Sequence, residues 1–310
     1  MTLSIIVPSR GTHKNIIGIL DSLNNQSYQK FELNLLIDSI LTQQDYNLYI
    51  DLINKHATLI KEKVNLICNL NSDFESNHVV SYIRNYGVTN AKGNFIFMLD
   101  DDNKFDPRFL QKIVEYRESM KLRVGKDFLL GPTIMYRDSG KVVNQGFSSF
   151  NYYLSKPVLN YLGEKPYGYV DMYGGNSLYG PTHLFNKIGY DKRIDFVYED
   201  LDFAYRATRS GIPILVARDL KIYHFEVDKT PLQHAFVGDE RSAYRKAKHR
   251  FILVNNSGRL FQKYLFYIIG VPFQTTRLIL KILLKGKEVN RISIIKAYIK
   301  GTLDGYRKNY

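Results

Sequence analysis

Between residues 3 and 99, short β-rich apolar runs alternate with segments whose apolar residues recur at helical spacing. That order constrains the fold more than any other feature, because it implies βαβ units and a parallel sheet. Residues 3–8, 33–37, 64–70 and 94–99 read as strands. Residues 15–25, 45–63 and 79–91 read as helices, the first with Ile16, Ile19, Leu20 and Leu23 inward and the last stopped by Lys92-Gly93. Ligands of such sheets bind beyond the carboxyl ends of the strands. Pro8-Ser9-Arg10, Asp38 and Asp100-Asp101-Asp102 all fall there.

Further along, residues 128–135, 141–147, 212–217 and 220–224 read as strands. Residues 200–210 read as a short helix closed by Gly211. Hydrophobic residues make up 45% of the 310, with 14% aromatic, which supplies a substantial core and argues against disorder. Cys68 is the one cysteine, so disulfide frameworks and cysteine-based zinc sites are excluded and a reducing cytosol fits. The N-terminus shows no charged segment followed by a long apolar one, which predicts no signal peptide. The longest apolar stretch, 264–273, is too short to span a bilayer alone.

The net charge of +13 is uneven. Residues 241–310 hold 16 Lys and Arg against two acids, whereas residues 1–240 sum to −1. Arg277, Lys281 and Lys285 recur beside Leu280, Leu283 and Leu284. Ile292, Ile295, Ile299 and Leu303 follow helical spacing with Lys296 and Lys300 alongside. These are amphipathic basic helices, suited to an anionic membrane surface or to packing on the preceding domain. Nucleic acid is disfavoured, because the tail is rich in Leu and Ile rather than in exposed aromatics for base stacking. The charge shift predicts a first domain over residues 1–228 and a basic helical region over 229–310.

Three adjacent carboxylates repel one another unless a cation or solvent compensates them. At the end of a buried strand, Asp100, Asp101 and Asp102 suit a hard divalent ion bridging a diphosphate better than a solvated acidic turn. Glu199, Asp200 and Asp202 start a helix, where acids complement the dipole, and one of them could equally be a general base. His224 ends an apolar strand, either as a structural residue or as the completion of a metal site begun by an aspartate. Gly174-Gly175-Asn176 makes a turn or lets backbone approach a ligand.

Six segments in order carry a family resemblance. They are Ser4-Ile-Ile-Val-Pro-Ser9, Arg84-Asn-Tyr-Gly87, Ala91-Lys-Gly93, Phe97-Met-Leu-Asp-Asp-Asp102, Gly174-Gly-Asn176 and Glu199-Asp-Leu-Asp-Phe-Ala-Tyr-Arg206. Over residues 3–225 the chain resembles the family 2 inverting glycosyltransferases of GT-A fold, of the bacterial polysaccharide or lipid-linked glycan type. The resemblance implies an α/β fold: a mostly parallel sheet flanked by helices, with a C-terminal helical extension. It implies transfer of a hexosyl-type sugar from a nucleotide-diphosphate donor, UDP- or dTDP-linked, to a hydroxyl of a glycan or lipid-linked acceptor. Pro8, Ser9, Arg10, Asp38 and Arg84 would hold the donor. Asp100 and Asp102 match the Asp-x-Asp motif, Asp102 binding Mn2+ or Mg2+ and Asp100 the ribose or the metal, with Asp101 between them on the donor side. Gly174, Gly175, Asn176 and Glu199 would line the sugar and acceptor pocket. Asp200 matches the catalytic base and His224 a histidine that serves some members as a metal ligand. A single acid after the second strand departs from the family's frequent pair. The implied location is cytoplasmic, peripheral on the inner face of the cell membrane. A sugar-nucleotide nucleotidyltransferase is the other architecture with acidic metal ligands, but Pro8-Ser-Arg-Gly11 is a poor version of its phosphate loop.

Overall fold

The computed structural model describes residues 2–75, 79–175, 177–224, 235, 237–285 and 290–307. Its sheet begins as a parallel block, β3 (Val64–Ile67), β2 (Phe31–Ile37), β1 (Leu3–Ser9) and β4 (Phe95–Met98). Helices α1 (His13–Asn24), α2 (Gln43–His56) and α3 (Val80–Thr89) make the crossovers. Alternation along each strand fills two cores. Ile5, Val7, Leu35 and Phe97 pack on the side of α1, α2 and α4 (Phe109–Val124), whereas Ile6, Leu36, Ile96 and Met98 pack with Ile83 of α3 on the other. Helix α2 stops at His56, short of the expected 63, and a 3-10 turn at Lys61–Lys63 leads into β3.

The second half extends this sheet with mixed pairing. Antiparallel β11 (Tyr179–Pro181) joins β4 to β6 (Leu129–Tyr136), and β12 (Ile214–His224) runs parallel to β6. β12 is one strand with a register shift between Ala217 and Lys221, where the sequence reads as two strands. Its last residues pair antiparallel with the two-residue strand β5 (Asn103–Lys104), His224 opposite Asn103. β7 (Val142–Asn144) pairs with β6, and β10 (Tyr167–Val170) caps the edge at β12. β8 (Phe147–Asn151) and β9 (Lys156–Leu159) form a separate hairpin. Helices α5 (Thr182–Ile188) and α6 (Glu199–Arg209) cover the second core.

The basic region folds against this domain. α7 (Glu240–Ser257) is followed by α8 (Leu260–Leu265), a π-helical turn at Phe266–Gly270, α9 (Val271–Lys285) and α10 (Arg291–Arg307). Phe251, Leu253, Val254, Phe266 and Val271 share a core with Tyr152, Met172, Val197, Tyr198, Leu201 and Tyr205. Small residues bring α10 onto α7: a side chain on Gly301 would strike the Tyr244 carbonyl, and one on Gly305 would strike the Phe251 ring. The inward face of α10 is therefore Ile294, Tyr298, Gly301, Thr302 and Gly305. Ile292, Ile299 and Leu303, read in the sequence as an apolar face for a membrane surface or for packing, are turned outward. Residues 260–284 form a continuous helical run of 25 residues, long and apolar enough by length and composition to cross a membrane, although it is anchored to the domain through Phe266, Val271, Leu278 and Ile282. The 228/229 boundary expected from charge lies outside the described residues.

Candidate active site

A cavity of about 740 Å³ opens at the carboxyl ends of β1, β2 and β4. Pro8, Ser9, Arg10, Asp38, Arg84, Asp100, Asp101, Asp102, Gly174, Gly175, Glu199, Asp200 and His224 all line it. Asn176 lies outside the described residues. Residues from seven separate segments thus converge on one volume.

The aspartate triplet leaves β4 with three different environments. Asp101 ties β4 to the loop after β1: its Oδ2 accepts from Ser9 Oγ at 2.5 Å, and its Oδ1 from Asn15 Nδ2 at 3.1 Å. Asp100 faces Arg84, whose Nη2 lies 3.3 Å from its Oδ1. Asp102 faces His224, with Nδ1 3.2 Å from Oδ1. The pairing of β5 with the end of β12 produces this last meeting, which sequence spacing alone leaves open.

Arg84 is buried on α3 and bridges two acidic segments. Its Nη1 donates to Glu199 Oε1 at 3.0 Å while Nη2 reaches Asp100. Burial opposes a guanidinium charge, but Glu199 and Asp100 outweigh it and raise the Arg84 pKa. On the carboxylate side, burial drives Asp100 well above the usual range; Arg84 opposes that rise, and Asp102, Asp200 and Glu199 add to it.

The three acids at the start of α6 divide their roles. Asp202 is fully buried, accepting from Arg206 Nε at 2.7 Å and Asn256 Nδ2 at 2.8 Å, and is structural. Glu199 pairs with Arg84 and keeps a buried Oε2 with no hydrogen-bond partner. Asp200 turns to the cavity, where Oδ2 accepts from the Gly175 N–H at 2.6 Å and Oδ1 from the Leu201 N–H at 2.7 Å. Burial, then Glu199, raises its carboxyl, while Arg84 and the two amides hold it down. Gly175 can aim its N–H there because its φ is +82°, a region that strains any side chain. Asn144 positions the same turn by donating to the Gly174 carbonyl at 2.6 Å.

The segment leading into α6 is strained. Val197 and Tyr198 have φ of 64° and 81°, conformations that cost non-glycine residues energy. α7 holds them: Arg245 Nε donates to Asp195 Oδ2 at 2.7 Å, and His249 lies 2.8 Å from the Phe196 carbonyl. Lys246 of α7 and Gln274 of α9 also line the cavity. Sequence reading weighed the basic region between a lipid surface and packing on the preceding domain, and missed both residues. The signal for Lys246 was in the charge count, which could not say which lysine faces inward. Asn15, Asn144 and Lys156 were missed as well; as single polar residues near the ends of a helix and two short strands, they carry no sequence signal.

The donor set fits a hard divalent cation. Asp102 Oδ1 is buried without a hydrogen-bond partner and has an imidazole beside it. No three His, Cys, Asp or Glu converge as a closed cage among the described residues, so such a cation would draw its other ligands from substrate and water.

Residues 4–124 match the family model for glycosyl transferase family 2. Over that stretch the chain is similar to the family 2 glycosyltransferases. An uncharacterized glycosyltransferase of Haemophilus influenzae is 25% identical over 160 residues, 50% of this chain and 44% of its own length. The amylovoran biosynthesis glycosyltransferase AmsB of Erwinia amylovora is 22% identical over 227 residues, 72% of this chain and 70% of its own. The match thus spans less than half the length of the Haemophilus relative. Among solved structures, S. aureus TarS 1–349 superposes with a TM-score of 0.57 at 18% identity, covering 97% of this chain and 81% of that one. Its complex with UDP-GlcNAc gives 0.59 at 18% identity, covering 97% and 82%. These likenesses establish the fold, a curled mixed sheet flanked by helices with a C-terminal helical extension.

Proposed function

We propose that this glycosyltransferase moves a sugar from a UDP- or dTDP-linked donor to a hydroxyl of a glycan or lipid-linked acceptor, with inversion and with Mn2+ or Mg2+ bound. The observation that carries the reading is Asp200: an ionisable carboxylate, fixed at both oxygens by backbone amides, in the cavity that holds the aspartate triplet. The family of the domain and the UDP-GlcNAc complex of TarS support a nucleotide-sugar donor. The role of AmsB in amylovoran biosynthesis supports a polysaccharide context.

The loop Pro8-Ser9-Arg10 and Asp38 hold the nucleoside. Asp102 and His224 would hold the cation, and Asp100 would serve the cation or the ribose. Bound there, the cation supplies charge neutralisation for the departing nucleoside diphosphate. Asp200 accepts the proton of the acceptor hydroxyl as its oxygen attacks the anomeric carbon opposite the leaving group. The bond to the diphosphate breaks, and the configuration inverts without a covalent intermediate. Gly175 and Leu201 keep Asp200 aimed at that proton, and Arg84 keeps Glu199 and Asp100 from repelling one another.

The same reading puts the protein on the cytoplasmic face of a membrane. Phe261, Tyr264, Ile268, Phe273, Leu280 and Leu284 are exposed along α8, the π-helical turn and α9, and Ile292, Ile299 and Leu303 along α10, beside the basic residues. Such a surface suits an anionic bilayer. The deciding experiment is a panel of UDP- and dTDP-sugars with Mn2+ or Mg2+, read by thermal shift and nucleotide release. Asp102→Ala should abolish the metal-dependent shift. A wild-type protein stabilised by none of these nucleotides would overturn the donor reading, and an Asp102→Ala variant with the full metal response would overturn the metal assignment.

A further inference from the structure

Hydrogen bonds from two helices converge on residues 194–196, the approach to Asp200. From α3, Ser81 Oγ donates to the Ile194 carbonyl, and the Val80 N–H donates to the Asp195 carbonyl at 3.0 Å. From α7, Arg245 donates to Asp195 Oδ2 through Nη2 and, at 2.7 Å, through Nε. His249 Nδ1 lies 2.8 Å from the Phe196 carbonyl, which only accepts, so Nδ1 carries the proton; Nε2 lies 3.2 Å from Asp195 Oδ1. Arg245 and His249 are buried, and neither lines the cavity. Whatever they do for the reaction, they do through the backbone they hold. Directly after this frame come Val197 and Tyr198 at positive φ, and then α6, whose N-terminus has no side-chain cap. A β-branched valine stays at positive φ only where its surroundings impose it. Released, it turns φ by more than about 100° toward the ordinary regions. Asp200 stands three residues further on, and its carboxylate could not then keep both the Gly175 and the Leu201 amide. Arg84 fixes the side chain of Glu199 but not the backbone of this turn.

We propose that Arg245 and His249 are positioning residues for sugar transfer, acting through Asp195 and Phe196 on the turn that aims Asp200. The inference rests on the glycosyltransferase reading above, with Asp200 as the base. It adds two residues that lie outside the 4–124 stretch matched by the family model. The donor loop and the aspartate triplet follow β1 and β4, away from α7, so the loss falls on turnover rather than on donor affinity. The donor loop meets the frame where the Arg10 guanidinium lies 5.7 Å from the Phe196 ring centre, with the Arg245 guanidinium 5.8 Å from the same ring.

The test uses the whole protein and two readouts. The first is kcat for nucleotide release, with Mn2+, from the UDP- or dTDP-sugar that the wild type turns over, beside the Kd for UDP. The second is amide exchange across residues 194–201 by mass spectrometry, which needs no turnover. Arg245→Met should lower kcat by about ten- to a hundredfold, the scale of an ångström-level misplacement. It should move the UDP Kd by less than about threefold and speed exchange of the segment by about tenfold or more. Adding Asp195→Asn removes the carboxylate left without its guanidinium. The double variant should therefore regain melting midpoint while kcat stays low and exchange stays fast. His249→Leu should behave as Arg245→Met does. His249→Asn, which keeps a donor where Nδ1 stood, should hold at least about half of the wild-type kcat. Wild-type kcat and exchange in Arg245→Met and His249→Leu would overturn the positioning role. Recovery of kcat along with stability in the double variant would do the same, because Arg245 would then only offset a charge. Loss of UDP binding in folded variants would also overturn it, placing both residues in support of the donor site. If Arg245→Met fails to fold, the two His249 variants decide. A wild type that turns over no sugar nucleotide strikes the glycosyltransferase reading instead, and the exchange rates still decide whether the two residues hold the turn.

Discussion

Replacing Asp200 by Asn separates chemistry from structure. A carboxylate offers an oxygen to each of two amides, Gly175 N–H at 2.6 Å and Leu201 N–H at 2.7 Å. A carboxamide has one oxygen, so its NH2 must face one of those donors. The unpaired amide costs on the order of 1–3 kcal/mol. The opposing effect is charge: burial, then Glu199, raises the carboxyl from 3.8 to about 6. At about 1.4 kcal/mol per unit, removing the charge returns on the order of 3 kcal/mol at neutral pH. The two effects offset, so the melting midpoint of Asp200→Asn should stay within about 5 °C of wild type. Transfer should nevertheless fall by about 10²–10⁴, the usual contribution of a positioned base. The assay is nucleotide release with acceptor present, beside UDP binding by calorimetry and a melting curve. Transfer above about a tenth of wild type would refute the base role. Loss of UDP binding in a folded variant would show instead that Asp200 belongs to the donor site.

Other perturbations test the supports. Arg84→Met strands Glu199 and Asp100 in a buried setting and should cost about 3–5 kcal/mol in urea denaturation; a loss under about 1 kcal/mol would mean the two acids have another counter-charge. Because Asp200 acts ionised and its pKa is raised, kcat/KM should climb with pH through the region near 6 and level off above it. An acid limb confined to the ordinary carboxylate range near 4 would contradict that. Gly175→Ala meets a φ of +82° and brings Cβ to 2.6 Å from Ile134 Cδ1; we expect about 1–2 kcal/mol of lost stability and a lower kcat. For the membrane surface, Ile268, Phe273 and Leu280 are replaced together by Ser, since they are exposed and deleting residues 241–310 would remove core residues such as Phe251. The triple variant should lose anionic vesicles in flotation while keeping its melting midpoint; equal flotation refutes the lipid contact.

The site was legible where the local pattern fixes position. A strand that ends in Asp100 must deliver it to the rim of a parallel sheet, and Asp38 and Ser9 follow by the same rule. The pairing of Asp102 with His224 was not legible, because it depends on the two-residue strand β5 meeting β12 across more than a hundred residues. The division of labour among Glu199, Asp200 and Asp202 was hidden for a similar reason: Arg84 and Asn256, which decide it, lie far away in sequence. Helix α4 carries a buried Arg117 in its apolar stripe, stacked over Phe95 and Phe128, which blurs the periodicity. In α10 the glycines, and not the aliphatic residues, mark the inward face. A pattern based on side-chain hydrophobicity finds the outward stripe of that helix and not the face that packs on α7.

The clamp of α7 on Asp195 and Phe196 has a consequence for how the protein comes into being. The backbone of Val197 and Tyr198 cannot rest in its strained form by itself, and Asp200 follows directly. Domains fold from the N-terminus during synthesis. The donor loops can therefore assemble on the ribosome well before the base is set. On the proposed reading, nascent chains would hold a nucleotide sugar without transferring its sugar, and turnover begins only when residues 240–257 have emerged and closed on the sheet.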